Sequence, residues 1–312
     1  MGASLRGMLL ALLAFALYST HDTIIKELGG RYAVFQIILF GNLFAFLPMS
    51  VMILADGRNE SFRPHHPWLV TLRTLATVAG MVCGFYAFTV LPLAETYALI
   101  FMMPLIITLL SVPILGERIG INRMAAIIVG FIGVLVVLRP GSAELSLGHV
   151  AALATAIFGS IAVIIVRKIG SSERSAVLIL FPLIASICIM GAIMPWTYRP
   201  VDGIDMALMA IIGFLVVFAQ LTIIAAYRAA PAGIIAPIQY SQILWAVGYG
   251  YVFFNEIPDV WPAVGAAIVI ASGIFVVVRE ATADVSKTQP VLTVNNHRPD
   301  TAPAPPRPAD AG

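Results

Sequence analysis

Long apolar stretches alternate with short polar segments along most of the chain. Each stretch is continuously apolar and comes close to the roughly 20 residues that a helix needs to cross the hydrocarbon core of a bilayer. A membrane β-barrel would instead alternate apolar and polar residues over about ten positions. The pattern therefore predicts an all-α integral membrane protein with ten transmembrane helices. The predicted spans are 7–28, 34–54, 69–91, 95–115, 123–138, 148–166, 175–196, 206–227, 233–254 and 260–278.

The composition agrees with a chain that faces lipid. The sequence is 60% hydrophobic and 11% charged, whereas a soluble globular domain carries roughly 25% charged residues. So few charges cannot cover a water-exposed surface. The net charge of +2 is too small to indicate a nucleic-acid partner. The two cysteines, Cys83 and Cys188, lie in apolar stretches and predict neither a disulfide framework nor a metal site.

Lysine and arginine are distributed unevenly between the two sides of the predicted bundle. The side with the N-terminus and the C-terminal tail holds Arg6, Arg58, Arg63, Arg118, Arg123, Arg167, Lys168, Arg174, Arg228, Arg279, Lys287, Arg298 and Arg307. The other side holds only Lys26, Arg31, Arg139 and Arg199. By the positive-inside rule, both termini are expected in the cytoplasm.

The two halves of the chain resemble each other. Residues 7–29 read GMLLALLAFALYSTHDTIIKELG, and residues 148–170 read GHVAALATAIFGSIAVIIVRKIG. At one offset of 141 residues, the aligned pairs are Gly7/Gly148, Ser19/Ser160, Lys26/Arg167 and Gly29/Gly170. With the offset shifted by one or two residues, the later pairs are Leu91-Pro92/Ala230-Pro231, Glu117/Glu256, Gly133/Gly273 and Arg139/Arg279. Two matching blocks in the same order indicate a tandem duplication.

The duplicated unit contains five predicted helices. Because five is odd, the second copy enters the membrane from the other side, and the two repeats have inverted topology. Inverted repeats are typical of secondary transporters, whose substrate site lies near the bilayer midplane between the repeats. We therefore expect a first repeat at 1–141 and a second at 142–280. Residues 281–312, rich in Pro, Ala, Thr and Asp, are predicted to form a disordered cytoplasmic tail.

Four motifs carry a resemblance to a known family. They are Ser19-Thr20-His21-Asp22 with Lys26, the LPLAET stretch at 91–96, the PILGER stretch at 113–118, and a Gly130-x-x-Gly133 helix ending at Leu138-Arg139-Pro140-Gly141. With these motifs, residues 7 to about 280 resemble the EamA-type transporters of the drug/metabolite transporter (DMT) superfamily.

This resemblance implies ten helices, cytoplasmic termini and transport of a small organic metabolite without ATP hydrolysis by the protein itself. The first half is similar to bacterial riboflavin uptake proteins, so riboflavin uptake is the leading candidate. S-adenosylmethionine carriers of the rickettsial type also have an Asp-x-x-x-Lys pair in the first helix. Export of amino acids or drugs is a further alternative.

The first predicted helix carries several polar groups that are costly in a bilayer. Asp22 and Lys26 lie four residues apart on one helix face, with Tyr18 one turn earlier. They are candidates for substrate binding, and Asp22 also for proton coupling; the alternative is an ion pair at the helix end. His21 is a second candidate for proton coupling because its ring titrates near neutral pH, although a lone histidine is often a packing residue.

The ninth predicted helix carries a polar and aromatic stripe. Gln239, Gln242, Trp245 and Tyr249 recur at helical spacing. Amides and aromatic faces suit a flat substrate with ring carbonyls and nitrogens; the alternative is hydrogen bonding between packed helices. Further candidates for an aromatic wall or a polar contact are Tyr86, Tyr97, Phe85, Asn42 and Gln220.

Four more charged residues have candidate roles at the helix ends. Arg73 is assigned to gating at a cavity mouth, or alternatively to lipid headgroups. Glu95 is assigned to gating, or alternatively to capping the start of a helix. Glu117 and Glu256 occupy matching places in the two halves, which favours a structural role.

The sequence contains no Walker loop, nucleophile elbow or metal-ligand cluster, so we expect neither a cofactor nor an enzyme activity. The expected partners are a small-molecule substrate and the lipid bilayer, and a homodimer is left open. The rival interpretations are a membrane scaffold without transport activity and an intramembrane enzyme.

Overall fold

The computed structural model describes residues 2–55, 63–117, 120–139, 145–169, 172–257 and 259–282. In these ranges the regular structure is entirely helical. The helices are α1 Gly2–Gly29, α2 Val34–Ala55, α3 Pro67–Val90, α4 Leu93–Ile100, α5 Met103–Leu115, α6 Ile121–Leu138, α7 Leu147–Ile169, α8 Ser175–Thr197, α9 Gly203–Ala229, α10 Ala232–Ile235, α11 Gln242–Phe254 and α12 Val260–Thr282. The predicted tail at 281–312 lies outside the described residues, except for 281–282 at the end of α12.

The described residues contain eight helical spans that are long and apolar enough to cross a membrane. The first eight predicted spans correspond to these, with Leu93–Leu115 counted as one span. The last helix, α12, contributes a shorter apolar stretch, Val260–Val276. Many large apolar side chains point outward, among them Trp196 and Leu244. An outward apolar surface of this extent fits lipid better than water, and the chain is a multi-pass membrane protein.

Two predicted spans are broken in their first half, where the sequence predicts continuous helices. The fourth is divided at Phe101-Met102 into α4 and α5, and the ninth is divided by a 3-10 segment, Ala236–Ser241, between α10 and α11. Proline at 104 and 237 explains both breaks, because proline has no backbone N–H and its ring clashes with the preceding turn. Met103 and Gln242, the first residues after the breaks, occupy equivalent positions in the two halves.

The helix ends lie at two faces of the bundle. One face, which we call the N-terminal face, holds the start of α1 and the ends of α2, α5, α7 and α9. The other, which we call the opposite face, holds the ends of α1, α3, α6, α8 and α11. Helices of the first half pack mainly on helices of the second: α1 on α9, α3 on α7, and α6 on α12. The bundle core is therefore formed between the halves.

Glycines allow the closest of these approaches. In the α6–α12 crossing, a Cβ atom built on Gly265 would lie 2.6 Å from the carbonyl oxygen of Gly133, and one built on Gly133 would lie 3.0 Å from the carbonyl oxygen of Gly265. Small residues at such crossings let membrane helices approach backbone to backbone.

Candidate functional site

A cavity of about 150 Å³ lies inside the bundle. Its walls come from α1, α2, α3, α7, α8 and α9, and from both broken helices. Ile100, Phe101 and Met103 from the α4–α5 break and Gln242 from the start of α11 line it. The helix breaks therefore lie at the cavity.

Asp22 on α1 is the central polar group of the cavity. The carboxylate is buried, with 3% of the residue exposed. The Tyr97 hydroxyl donates to Oδ2 at 2.5 Å, and Oδ1 lies 2.8 Å from Nδ1 of His21. A buried carboxylate is stable only when it is paired and hydrogen-bonded, and His21 and Tyr97 supply both kinds of contact.

The contacts of Asp22 continue into a short polar chain. The Ser19 hydroxyl lies 3.4 Å from the Tyr97 hydroxyl, and the His21 ring meets Phe85 edge-on at 5.8 Å between centroids. A carboxylate within hydrogen-bond distance of an imidazole and a phenolic hydroxyl can exchange a proton with either neighbour with little rearrangement. This arrangement is chemically suited to proton coupling.

The rest of the cavity wall is aromatic and amide-bearing. Tyr97 packs against Phe88 and Phe101, with ring centroids 5.2 and 5.8 Å apart. Asn42 donates to the Ser186 hydroxyl at 2.7 Å and to the Met81 sulfur at 3.6 Å. Such a wall offers flat apolar faces with a few hydrogen-bonding groups, as small-molecule sites generally do.

The structure brings only some of the sequence candidates to the cavity. Those that line it are His21, Asp22, Asn42, Phe85, Tyr97 and Gln242. The candidates that do not line it are Tyr18, Lys26, Arg73, Tyr86, Glu95, Gln220, Gln239 and Trp245. The Tyr18 hydroxyl instead donates to Oε1 of Gln220 at 2.9 Å, which joins α1 to α9. Trp245 is 36% exposed and packs against Tyr249 on the outside of α11.

Lys26 does not form the ion pair with Asp22 that their spacing on α1 suggests. Its Nζ atom lies 2.8 Å from Oε1 of Glu256 and donates to the Leu91 carbonyl at 2.5 Å. It also lies over the Phe254 ring, 5.3 Å from the centroid. These partners draw the Lys26 side chain toward the opposite face, away from the cavity.

Arg73 and Glu95, the two gating candidates, also contact the other half of the chain. Arg73 is 1% exposed and donates to the Leu178 carbonyl on α8, so it neither reaches lipid headgroups nor lines the cavity. Oε1 of Glu95 lies 3.0 Å from Nε2 of His149 at the start of α7. Arg73 therefore connects α3, and Glu95 connects α4, to the second half of the chain.

Several cavity residues were not singled out from the sequence. Phe88, Phe101, Thr77 and Thr155 all line the cavity. The only sequence feature that could have indicated Phe101 is the nearby Pro104, at the helix break. Threonines in an apolar helix commonly bond back to the preceding turn, as Thr155 does to the Ala151 carbonyl at 2.9 Å. The sequence therefore does not indicate that these threonines face a cavity.

Among the described residues, no group of three or more His, Cys, Asp or Glu side chains is arranged to hold a metal ion.

Residues 5–139 match the sequence model of the EamA-like transporter family. An S-adenosylmethionine uptake transporter of Rickettsia prowazekii (strain Madrid E) is 25% identical over 283 residues, which are 91% of this chain and 96% of that protein. A pseudopaline exporter of Pseudomonas aeruginosa (strain UCBPP-PA14) is 28% identical, covering 87% and 93%. A riboflavin transporter of Rhizobium johnstonii is 26% identical, covering 76% and 78%.

The fold also matches a protein of known crystal structure. That chain is 18% identical, the TM-score is 0.59, and the match covers 92% of this chain and 99% of the other. This similarity concerns the fold alone.

Proposed function

The chain carries an EamA-type domain of the drug/metabolite transporter superfamily, and from this premise we propose that it is a secondary transporter working by alternating access. It moves a small organic metabolite across a bacterial inner membrane, with both termini in the cytoplasm. The observation that carries the proposal is the cavity around Asp22, which lies at the two broken helices. Discontinuous helices at corresponding positions of the two halves are a feature of transporter substrate sites.

The proposal includes two inverted repeats, 1–141 and 142–280. Contacts between aligned residues support it. A Cβ atom on Gly7 would lie 2.6 Å from Ala230 Cβ, and a Cβ atom on the aligned Gly148 would lie 2.8 Å from Cγ of Leu91, which aligns with Ala230. Each half thus meets the other through the same pair of positions, as a twofold axis in the membrane plane requires.

Asp22 and His21 depart from this repeat relation. Their aligned positions in the second half are Val163 and Ala162. A scaffold acid would be expected in both copies, as Glu117 and Glu256 are. The presence of Asp22 in one copy only favours a role in substrate binding or proton coupling.

The charges of the cavity restrict the substrate. Among the described residues that line it, Asp22 is the one carboxylate and His21 the one imidazole, and none is Lys or Arg. An anionic substrate group would be buried beside a carboxylate without a fixed cation, which is unfavourable. The proposed substrate is therefore neutral or cationic, with a flat ring that packs among Phe85, Phe88 and Phe101.

Riboflavin is the leading candidate, since its ring is flat and rich in hydrogen-bonding groups that Asn42 and Gln242 could meet. S-adenosylmethionine is the alternative: it has an adenine ring, and its sulfonium and ammonium groups outweigh its carboxylate, so the molecule is a net cation. Export of amino acids or drugs uses the same cavity in the other direction.

We expect the chain to support growth of a riboflavin auxotroph that lacks its own vitamin carrier at limiting riboflavin. Uptake of radiolabelled riboflavin and S-adenosylmethionine is measured in parallel, with and without a proton gradient. Flavin mononucleotide is the matched control, because its phosphate adds the negative charge that the cavity should reject. Uptake of S-adenosylmethionine alone would make it the substrate in place of riboflavin. If no compound moved in either direction, the result would contradict a transport function.

Replacing Gln242 with alanine is expected to lower kcat/KM for transport about 10-fold, since one hydrogen bond in the cavity is worth ~1.4 kcal/mol. Trp245→Ala, on the same helix but outside the cavity, is expected to leave transport within about twofold of wild type. The measurement is the initial uptake rate, normalised to protein in the membrane. Equal losses in both variants would contradict the placement of the site.

A further inference from the structure

Two ion pairs join positions that the internal repeat makes equivalent. Lys26 pairs with Glu256, with 2.8 Å between Nζ and Oε1. Arg167 pairs with Glu117, with 2.9 Å between Nη2 and Oε1. Lys26 aligns with Arg167, and Glu117 aligns with Glu256. Each pair therefore connects the base of one half to the acid of the other half.

The same backbone geometry positions both acids. Gly116 and Asn255 end α5 and α11 in the left-handed region, with φ of 72° and 53°. The N–H groups of the next residues, Glu117 and Glu256, each donate to the carbonyl six residues earlier, at 3.3 and 2.9 Å. This is a Schellman-type helix end, and it turns each glutamate toward the C-terminal part of α7 or α1.

The two ion pairs lie at different faces. Lys26 is near the end of α1, at the opposite face, and Arg167 is near the end of α7, at the N-terminal face. Both pairs are largely buried: the exposed fractions of the side chains are 11% and 21% for Lys26 and Glu256, and 0% and 20% for Arg167 and Glu117. Burial makes the loss of a partner more costly than it is for a surface pair.

Each face also holds a second contact between the two halves. At the opposite face, the Tyr32 hydroxyl donates to Oδ2 of Asp205 at 2.8 Å, and this hydrogen bond raises the pKa of Tyr32. At the N-terminal face, the His66 backbone N–H donates to Oε1 of Glu173 at 2.5 Å. Tyr32 aligns with Glu173 at the offset of 141, and His66 aligns with Asp205 at the offset of 139 that holds for the first two of the later pairs. Corresponding segments of the two halves therefore make this second contact at both faces.

We infer that the Lys26–Glu256 and Arg167–Glu117 ion pairs are two equivalent latches, each of which must break when its own face of the bundle opens. Each latch ties a helix of one half to a helix end of the other half, so the halves cannot separate at that face while the pair is intact. Both latches are formed in this structure. This inference assigns Lys26 to closure rather than to the substrate, and gives Glu117 and Glu256 a part in the conformational change beyond a structural role.

The test follows the accessibility of the cavity, so it is independent of substrate identity and of whether the chain transports at all. Val216 lines the cavity on α9 and is replaced by cysteine in a Cys83→Ala/Cys188→Ala background. A membrane-impermeant maleimide is applied to sealed vesicles of each orientation. The rate of labelling then reports how often the cavity is open to each face.

Lys26→Glu and Arg167→Glu are the matched variants, because each places two acids in one latch. Lys26→Glu is expected to raise labelling from the opposite face about 10-fold, and Arg167→Glu to raise labelling from the N-terminal face by a similar factor. The charge-swapped pairs, Lys26→Glu/Glu256→Lys and Arg167→Glu/Glu117→Arg, are expected to return the labelling rates toward those of the parent protein.

Lys26→Gln and Arg167→Gln remove the attraction without adding repulsion. They are used in place of the charge-swapped pairs if those proteins fail to accumulate in the membrane. Each is expected to raise the labelling rate from the same face as the corresponding glutamate variant, by a smaller factor. A rise from the same face in both variants would overturn the inference. Folded variants with parental labelling rates from both faces would also overturn it, because the ion pairs would then stabilise the fold without controlling access to the cavity.

Discussion

Replacing Asp22 with asparagine is expected to lower the transport rate at least about 100-fold. The substitution keeps the shape of the side chain and removes the one carboxylate among the described cavity residues. The His21 ring and the Tyr97 hydroxyl would face a neutral amide, and no carboxylate among the described cavity residues could then pair with a substrate charge or carry the coupling proton. A 100-fold lower rate corresponds to ~2.7 kcal/mol. The measurement is the initial uptake rate in proteoliposomes.

Glu27→Gln is the matched control for Asp22→Asn. Glu27 is one turn further along α1, and its carboxylate pairs at 2.8 Å with Arg31 at an exposed position. An exposed pair of this kind contributes ~0–1 kcal/mol, so transport by Glu27→Gln should equal that of wild type. Substrate exchange without a gradient separates the two roles of Asp22: binding requires its charge in exchange, whereas proton coupling alone does not. Wild-type uptake by Asp22→Asn would remove Asp22 from the mechanism.

Adding one methyl group at Gly265 is expected to destabilise the protein by about 1–3 kcal/mol, the range for overpacking a close-packed site. The new Cβ atom would lie 2.6 Å from the Gly133 carbonyl oxygen and 2.6 Å from a methyl carbon of Val137. Two backbones cannot give way as a flexible side chain can, so α6 and α12 must move apart. Gly265→Ala should lower the melting temperature in detergent by roughly 3–10 °C.

Gly191→Ala provides the control for this prediction. Gly191 lies in α8, and a Cβ atom built there meets no described atom within 4 Å. Since alanine favours a helix over glycine by ~1 kcal/mol, this variant should melt at or slightly above the wild-type temperature. Similar melting temperatures for the two variants would mean that the α6–α12 crossing is looser than the structure has it.

The apolar pattern predicted most of the helices because a bilayer span requires a long apolar stretch whatever its neighbours are. The breaks at Phe101 and in Ala236–Ser241 were not predicted. Pro104 and Pro237 lie at the breaks, but a proline in a sequence can start, end or kink a helix and does not by itself distinguish a kink from a break.

The partners of charged residues were harder to predict than the helices. Asp22 and Lys26 are neighbours on one helix, and spacing alone suggests that they pair. The structure pairs Lys26 with Glu256, which is far away in sequence. The repeat alignment contained the necessary positions, but it does not reveal that equivalent residues meet across the two halves.

The stripe on the ninth predicted helix illustrates a related limit. Helical spacing groups Gln242, Trp245 and Tyr249 on one side, but it does not say what that side faces. Gln242 lines the cavity from the start of α11, whereas Trp245 is at the surface and the Tyr249 hydroxyl lies 3.1 Å from the Thr20 hydroxyl. In a membrane, aromatic residues are stable both inside and on the lipid surface, so hydrophobicity does not separate them.

Labelling of single cysteines at Glu27 and Lys168 tests most directly whether the two halves run through the bilayer in opposite directions. The two residues are equivalent in the repeats, and both are exposed, near the ends of α1 and α7. In intact cells, an impermeant maleimide should label Glu27→Cys at once and Lys168→Cys only after the membrane is permeabilised. Labelling of both cysteines from the same side would contradict inverted halves, and with them the transport cycle that we propose.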